Sequence, residues 1–280
     1  MPRLHLLEIH EQPWCPQPVR DGATDCLNLL ANLAQQYAFV APKLRQALAA
    51  AGRNGAPIRR IVDLCSGGGG PWLTLHRRFA PPVDEIVLTD LYPNRPAMAY
   101  AARRSQGRLR GHPTPVDATQ PPSTLTGFRT LFTALHHFTP PAARAILQDA
   151  VNHGQGIAVF EQTARTPVAL GLMLMLPLLA LLLMPFVRPW RAERLFWTYV
   201  VPAIPLVLGF DGVVSCLRTY SRQELAALIA GLEGPPYVWK IGRLPSPLSP
   251  VGVIYLIGYP QSVQAGGATG EGLPRVAATA

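Results

Sequence analysis

Apolar positions near the start of the chain recur three and four residues apart. Within 21–51, Cys26, Leu27, Leu29, Leu30, Leu33, Tyr37 and Val40 fall mostly on one helical face. Pro42 opens a second helix that runs to about Ala51 and stops at Gly52. From Ile58 the period shortens. Residues 58–64 (IRRIVDL), 85–89 (EIVLT), 129–134 (RTLFTA) and 156–160 (GIAVF) are short apolar runs that read as buried strands, and 116–118 reads as the end of a weaker one. Helical stretches separate them at 71–79, 96–105 and about 139–152. In the last of these Thr139 stands at the cap, with Pro140 and Pro141 in the first turn. Late in the chain, Ser221 and Glu224 form a capping box that opens a helix to about Ala230. Residues 237–244 and 251–259 read as two antiparallel edge strands.

Alternating strands and helices with short connections specify a parallel, doubly wound α/β sheet. Right-handed crossovers then gather the C-terminal ends of the parallel strands on one edge, where such sheets bind ligands. The alternation breaks at Thr166. Residues 166–187 carry no charge, and neither do 195–210; a basic linker, 188–194, joins the two. Twenty apolar helical residues span about 30 Å, the thickness of a bilayer core. Trp190, Trp197 and Tyr199 stand at the borders, as interfacial aromatics do. Three readings stay open for this insert: a hairpin spanning or dipping into a membrane, a helical lid over a hydrophobic substrate, or a buried core or dimer contact.

Composition narrows the picture. Charged residues make up 15% of the 280, too few for a disordered polyelectrolyte. The 25 Lys and Arg exceed the 16 Asp and Glu by nine, but the cations are scattered and no nucleic-acid-binding motif occurs, so no nucleic-acid partner is expected. Cys15, Cys26, Cys65 and Cys216 form no CxxC pair, which argues against a zinc site or a disulfide framework and fits a reducing, cytoplasmic compartment. Glu8 and Glu11 fall where a secretory signal would need an apolar core. Trp14 is expected to pack in the core.

The densest chemical signal is Asp63-Leu-Cys-Ser-Gly-Gly-Gly-Gly70, a glycine turn directly after a strand. It fits neither a dinucleotide fingerprint, whose third glycine would fall on Trp72 or Leu73, nor a P-loop, because no Gly-Lys-Ser/Thr follows. Asp90 ends the second strand, where a carboxylate accepts hydrogen bonds from ribose hydroxyls. Asp117 reads equally as a turn aspartate or a ligand contact. Leu135-His136-His137-Phe138 follows the fourth strand, and Glu161 ends the fifth. A histidine near neutral pKa suits a general base, and Glu161 is a second candidate unless it pairs with an arginine.

In the order and spacing of these motifs the chain resembles the class I S-adenosylmethionine-dependent methyltransferases over 58–161, and loosely over 220–260. The resemblance implies a mostly parallel seven-stranded α/β sheet with N-terminal helices and, here, a hydrophobic helical insert. It implies S-adenosyl-L-methionine as cofactor, held by Asp63, Cys65, Gly67, Gly69, Asp90 and Asp117, with Cys65 standing where the family usually has its first glycine. His136, His137 and Glu161 are the catalytic candidates, and no metal is implied. The chain divides on this reading into a helical cap (1–55), a cofactor-binding core (56–165), the insert (166–212), the rest of the core (213–260) and a disordered tail (261–280). The activity implied is methyl transfer to a small hydrophobic or membrane-associated acceptor in the cytoplasm or at its membrane. A non-catalytic binding or membrane-tethered protein on the same fold is the alternative.

Overall fold

The structure, a computed structural model, describes residues 1–52, 56–247, 249–261 and 276–278. Strands β1 (Arg60–Asp63), β2 (Glu85–Leu88), β3 (Leu109–Gly111), β4 (Phe128–Phe132) and β5 (Ile157–Glu161) run parallel. The hairpin β6 (Tyr237–Ser246) and β7 (Ser249–Pro260) joins them antiparallel through β5. The order across the sheet is β3-β2-β1-β4-β5-β7-β6, the seven strands expected, and β8 (Val276–Ala278) adds to β6 at the edge. The strand order reverses between the parallel neighbours β1 and β4, so the crevice for a ligand opens above those two strands.

The helices α1 (Gln17–Leu33), α2 (Ala41–Ala51), α3 (Trp72–Leu75), α4 (Arg95–Arg104) and α5 (Pro140–Asn152) precede or link the parallel strands. Asn94 caps α4 by accepting the N–H of Ala97. Successive residues of β5 face opposite sides of the sheet, as strand geometry demands. Ala158 and Phe160 pack with Trp72, Phe79 and Phe128 beneath α2 and α3, while Ile157 and Val159 pack with Ile146 and Leu147 of α5. Burying one such aromatic or aliphatic side chain contributes about 1.5–3 kcal/mol. Both faces are therefore apolar, which is why the parallel strands read as unbroken hydrophobic runs.

The insert forms α6 (Pro167–Met173), α7 (Leu176–Leu183), α8 (Ala192–Leu195) and α9 (Ala203–Arg218), and α10 (Arg222–Ile229) follows with the predicted capping box intact. A separate small core of Val19, Ala23, Cys26, Ala180, Met184, Ile204 and Leu208 fastens the insert to α1. Helix α9 crosses position 212, so the insert and the resumed core share one helix.

Three expectations need correction. The third strand is Leu109–Gly111, while 116–118 lie in the following loop, whose Val116 N–H donates to the Asp90 carbonyl at 2.9 Å. Within the expected disordered tail, 276–278 form β8; positions 262–275, 279 and 280 lie outside the described residues. Trp14 is 65% exposed instead of packed in the core.

Candidate active site

Asp63 closes β1 with its carboxylate turned inward. Ser66 Oγ donates to Asp63 Oδ2 at 2.8 Å and Thr130 Oγ1 to Oδ1 at 2.6 Å. Burial pushes the Asp63 carboxyl up to about 6, against the pull of these hydrogen bonds. Asp63 thus braces the turn from below. Cys65, Gly67, Gly69 and Gly70 then take φ of +58, +53, +110 and +50°, the left-handed region that glycine enters freely and a cysteine enters at a cost of about 1–2 kcal/mol.

Asp90 faces this turn. Gly67 N–H donates to its Oδ2 at 2.7 Å and Tyr92 N–H to its Oδ1 at 2.9 Å. Burial raises its pKa, and the two backbone donors pull the other way. Burial also pushes the Cys65 thiol well up, helped by the negative charges of Asp90, Asp63, Asp117 and Glu11. Asp117 itself is exposed and spends Oδ1 on Thr119, accepting from its N–H at 2.8 Å and its hydroxyl at 2.7 Å, so the turn-aspartate role is the one formed. The other wall of the turn is α1. Asn28 Nδ2 donates to the Gly68 carbonyl at 2.6 Å, and Asn32 Nδ2 to the Gly70 carbonyl at 2.8 Å.

The two adjacent histidines have separate partners. His136 is 1% exposed, and its Nδ1 lies 2.8 Å from Glu161 Oε2. Glu161 Oε1 accepts backbone N–H groups from Ala134 at 3.1 Å, Leu135 at 2.7 Å and His136 at 3.3 Å. Burial works to raise the Glu161 pKa, but His136 and these donors outweigh it and hold the carboxylate below its usual range. The Glu161 carboxylate can only accept, so His136 Nδ1 donates to it, and the buried Nε2 has no hydrogen-bond partner among the described residues. Among the described residues no arginine pairs with Glu161.

His137 turns to the N-terminal segment, with Nδ1 2.7 Å from Glu11 Oε1 and 3.0 Å from Glu8 Oε2. Burial works against its charge, yet Glu8 and Glu11 raise its pKa to about 10. For Glu8 burial acts upward and is overcome by His137, His136 and His10, which hold the carboxyl far below its usual range. Arg218 of α9 reaches both acids, 3.1 Å from Glu8 Oε1 and 2.8 Å from Glu11 Oε2, and donates to the His137 carbonyl at 2.7 Å. His10 Nδ1 sits 2.8 Å from Asp211 Oδ2. Glu8, His10 and His137 place ligand-type atoms within 4.8 Å of one another, a spacing a divalent ion can bridge. Arg218 and the protonated His137 already supply cations to both carboxylates.

The strand ends thus bring Asp63, Cys65, Gly67, Gly69 and Asp90 into one turn and join His136 to Glu161. Asp117 stays at the rim. Reading the sequence missed Glu8, Glu11, Asn28, Asn32, Thr130 and Arg218. The only trace of the first two was a pair of acids where a secretory signal would need an apolar core. An open cleft of about 470 Å³ lined by Pro2, Arg165, Tyr220, Ser221 and Glu224 lies apart from the glycine turn and contains none of the nominated residues.

No family profile matches the chain, and no curated protein does. Solved structures share its fold. An O-methyltransferase family protein from Burkholderia thailandensis superposes with a TM-score of 0.52 at 16% identity, over 88% of this chain and 60% of its own. The O-methyltransferase NcsB1 of neocarzinostatin biosynthesis, solved with S-adenosylmethionine and 2-hydroxy-5-methyl naphthoic acid, superposes with a TM-score of 0.52 at 18% identity, over 87% of this chain and 58% of its own. The chain therefore spans about three-fifths of the length of these proteins, and its fold is that of the class I methyltransferases.

Proposed function

We propose that this chain, built on the class I methyltransferase fold, transfers a methyl group from S-adenosyl-L-methionine to a hydroxyl oxygen of a small hydrophobic acceptor. The observation that carries the reading is the buried His136–Glu161 pair, whose outer nitrogen is free, beside a glycine turn ringed by carboxylates.

The donor set suits the cofactor. A sulfonium that also bears an ammonium group is a cation, and Asp90, Asp63, Asp117 and Glu11 supply negative charge around Cys65. Each carboxylate oxygen of Asp90 carries one backbone donor and keeps lone-pair capacity for ribose hydroxyls. Left-handed Gly67 and Gly69 let the backbone approach closely; a Cβ on Gly69 would make only ordinary contacts with Leu88 at 3.6 Å and Asn28 at 3.9 Å, so its φ of +110° is what calls for glycine there. When bound there, the cofactor supplies an already activated methyl group, so the chain needs to contribute position, dryness and a base.

His136 is that base. With the cofactor held there, its Nε2 would accept the acceptor's hydroxyl proton while the methyl group passes from sulfur to that oxygen, the methyl–sulfur bond breaking to leave a neutral thioether. Glu161 acts through His136 as a positioning residue, holding the tautomer and stabilising the imidazolium that forms. His137 is charged at neutral pH and unsuited to take a proton, so it orders the N-terminal segment instead. The four unpaired cysteines support a reducing, cytoplasmic compartment.

Calorimetric titration with S-adenosylmethionine, followed by labelled-methyl transfer to a panel of phenols and other small hydroxylated aromatics, tests the reading. Asp90→Ala is expected to abolish measurable binding. His136→Ala is expected to keep binding and lose about 10²–10⁴-fold in turnover. Binding without transfer to any acceptor, unchanged by His136→Ala, leaves the non-catalytic alternative. No binding by the wild-type chain removes both.

A further inference from the structure

The insert presents an apolar face that nothing among the described residues covers. Leu172, Leu174, Met175, Leu178, Leu181, Leu182 and Phe186 of the first half are exposed, and so are Tyr199, Val200, Leu206 and Phe210 of the second. Monomeric soluble proteins rarely leave so continuous an apolar surface free. The run Pro167–Phe186 is 20 residues long, with 22% of its most apolar window buried.

We propose that this face lies in the interfacial plane of an anionic lipid bilayer, as a monotopic anchor that does not cross it. Chemistry selects lipid over a protein partner. Interfaces between proteins carry about one hydrogen bond per 100–200 Å². From Leu172 to Phe186 no side chain offers a donor or an acceptor beyond the methionine sulfurs. Hydrocarbon asks for nothing more, because the helices satisfy most of their own backbone. The rim suits a headgroup layer: Trp190 and Tyr199 are exposed amphipathic aromatics, and exposed Arg188 is a cation beside them. Its charge and the net +9 of the chain complement anionic phosphate.

Packing selects lying over spanning. The 20-residue run breaks between Met173 and Leu176 and ends in a short 3-10 turn, Met184–Phe186. One side of it is seated on α9 at two glycines. A Cβ on Gly209 would stand 2.7 Å from Pro177 Cγ, and one on Gly212 would stand 3.0 Å from Leu176 Cδ1. Crossing a bilayer would require α6 and α7 to leave that seat and expose Ala169, Ala180 and Met184, which are buried. A face of this kind sinks about 5–10 Å to the acyl boundary. The inference stands apart from methyl transfer, since vesicle binding is measured with no cofactor present.

The test is flotation of the full-length chain, purified without detergent, with phosphatidylcholine vesicles containing or lacking phosphatidylglycerol. Expected are flotation with the anionic vesicles, weaker recovery on neutral ones or in high salt, a blue shift of tryptophan emission on binding, and release by alkaline carbonate. Leu178→Glu with Leu182→Glu, both at exposed positions, is expected to lower partition by about 100-fold while circular dichroism and melting stay unchanged. Absence of flotation overturns the proposal, as does equal flotation of the double variant. Carbonate-resistant binding replaces it with a spanning anchor. A wild-type dimer that the double variant dissolves, with no vesicle binding, assigns the face to a second copy.

Discussion

At the scale of single residues, much of the site is legible in sequence because strand ends are. Asp63, Gly67, Asp90, His136 and Glu161 each follow an apolar run, and the sheet brings such ends together. What the sequence left open was which histidine meets which acid. His137 is settled by Glu8 and Glu11, more than a hundred residues away, and only tertiary folding brings them close. This pairing has a measurable pH signature. His137 has a folded pKa near 10 against an ordinary 6.5, so its contribution to stability is full below about pH 6.5 and disappears as pH rises through 10. Melting temperature is expected to fall between pH 7 and 10, and His137→Gln is expected to flatten that slope. Glu161→Gln is expected to lower turnover while leaving cofactor affinity in place, because its amide no longer favours the His136 tautomer; steady-state rates beside titration with the cofactor check this.

At the scale of elements, strands and helices with an apolar period were placed within a few residues. The third strand was misplaced for a physical reason. Leu109–Gly111 has three residues, two of them exposed, so no hydrophobic run marks it, whereas Val116 is buried in a loop. The contact of α1 with the glycine turn was equally hidden, because it rests on asparagines. Asn32 donates to Gly70 and accepts from the Thr74 N–H at 2.9 Å. Asn32→Ala takes the Asn32 donor from the Gly70 carbonyl and leaves the Thr74 N–H with only the Pro71 carbonyl at 3.3 Å; it is expected to cost about 1–2 kcal/mol and weaken cofactor binding, read by melting and titration. The α7–α9 contact is a steric one. Gly209→Leu forces the Pro177 ring away and is expected to cost about 1–3 kcal/mol, with melting lowered by about 2–4 °C per kcal/mol.

At the scale of the whole molecule, the N-terminal segment binds the parts together. Arg3 donates to the Phe138 carbonyl at 2.9 Å, Ile9 N–H donates to Asp211 at 2.7 Å, and Glu8 meets both His137 and Arg218. Removing residues 1–14 leaves buried Arg218 and half-buried His137 without the carboxylates of Glu8 and Glu11, and this truncation is expected to cost about 3 kcal/mol, measured by denaturant unfolding. The seam between α1 and α9 has a further consequence. Ile204 occupies a notch that glycine leaves at position 22, where a Cβ would lie 2.3 Å from Ile204 Cδ1, and buried Arg194 pairs with Asp25 next to the glycine turn. A chimera that transplants the hydrophobic insert onto another scaffold of this fold must therefore import residues 17–33 as well, because the graft and its first helix are keyed to each other as lock and tongue.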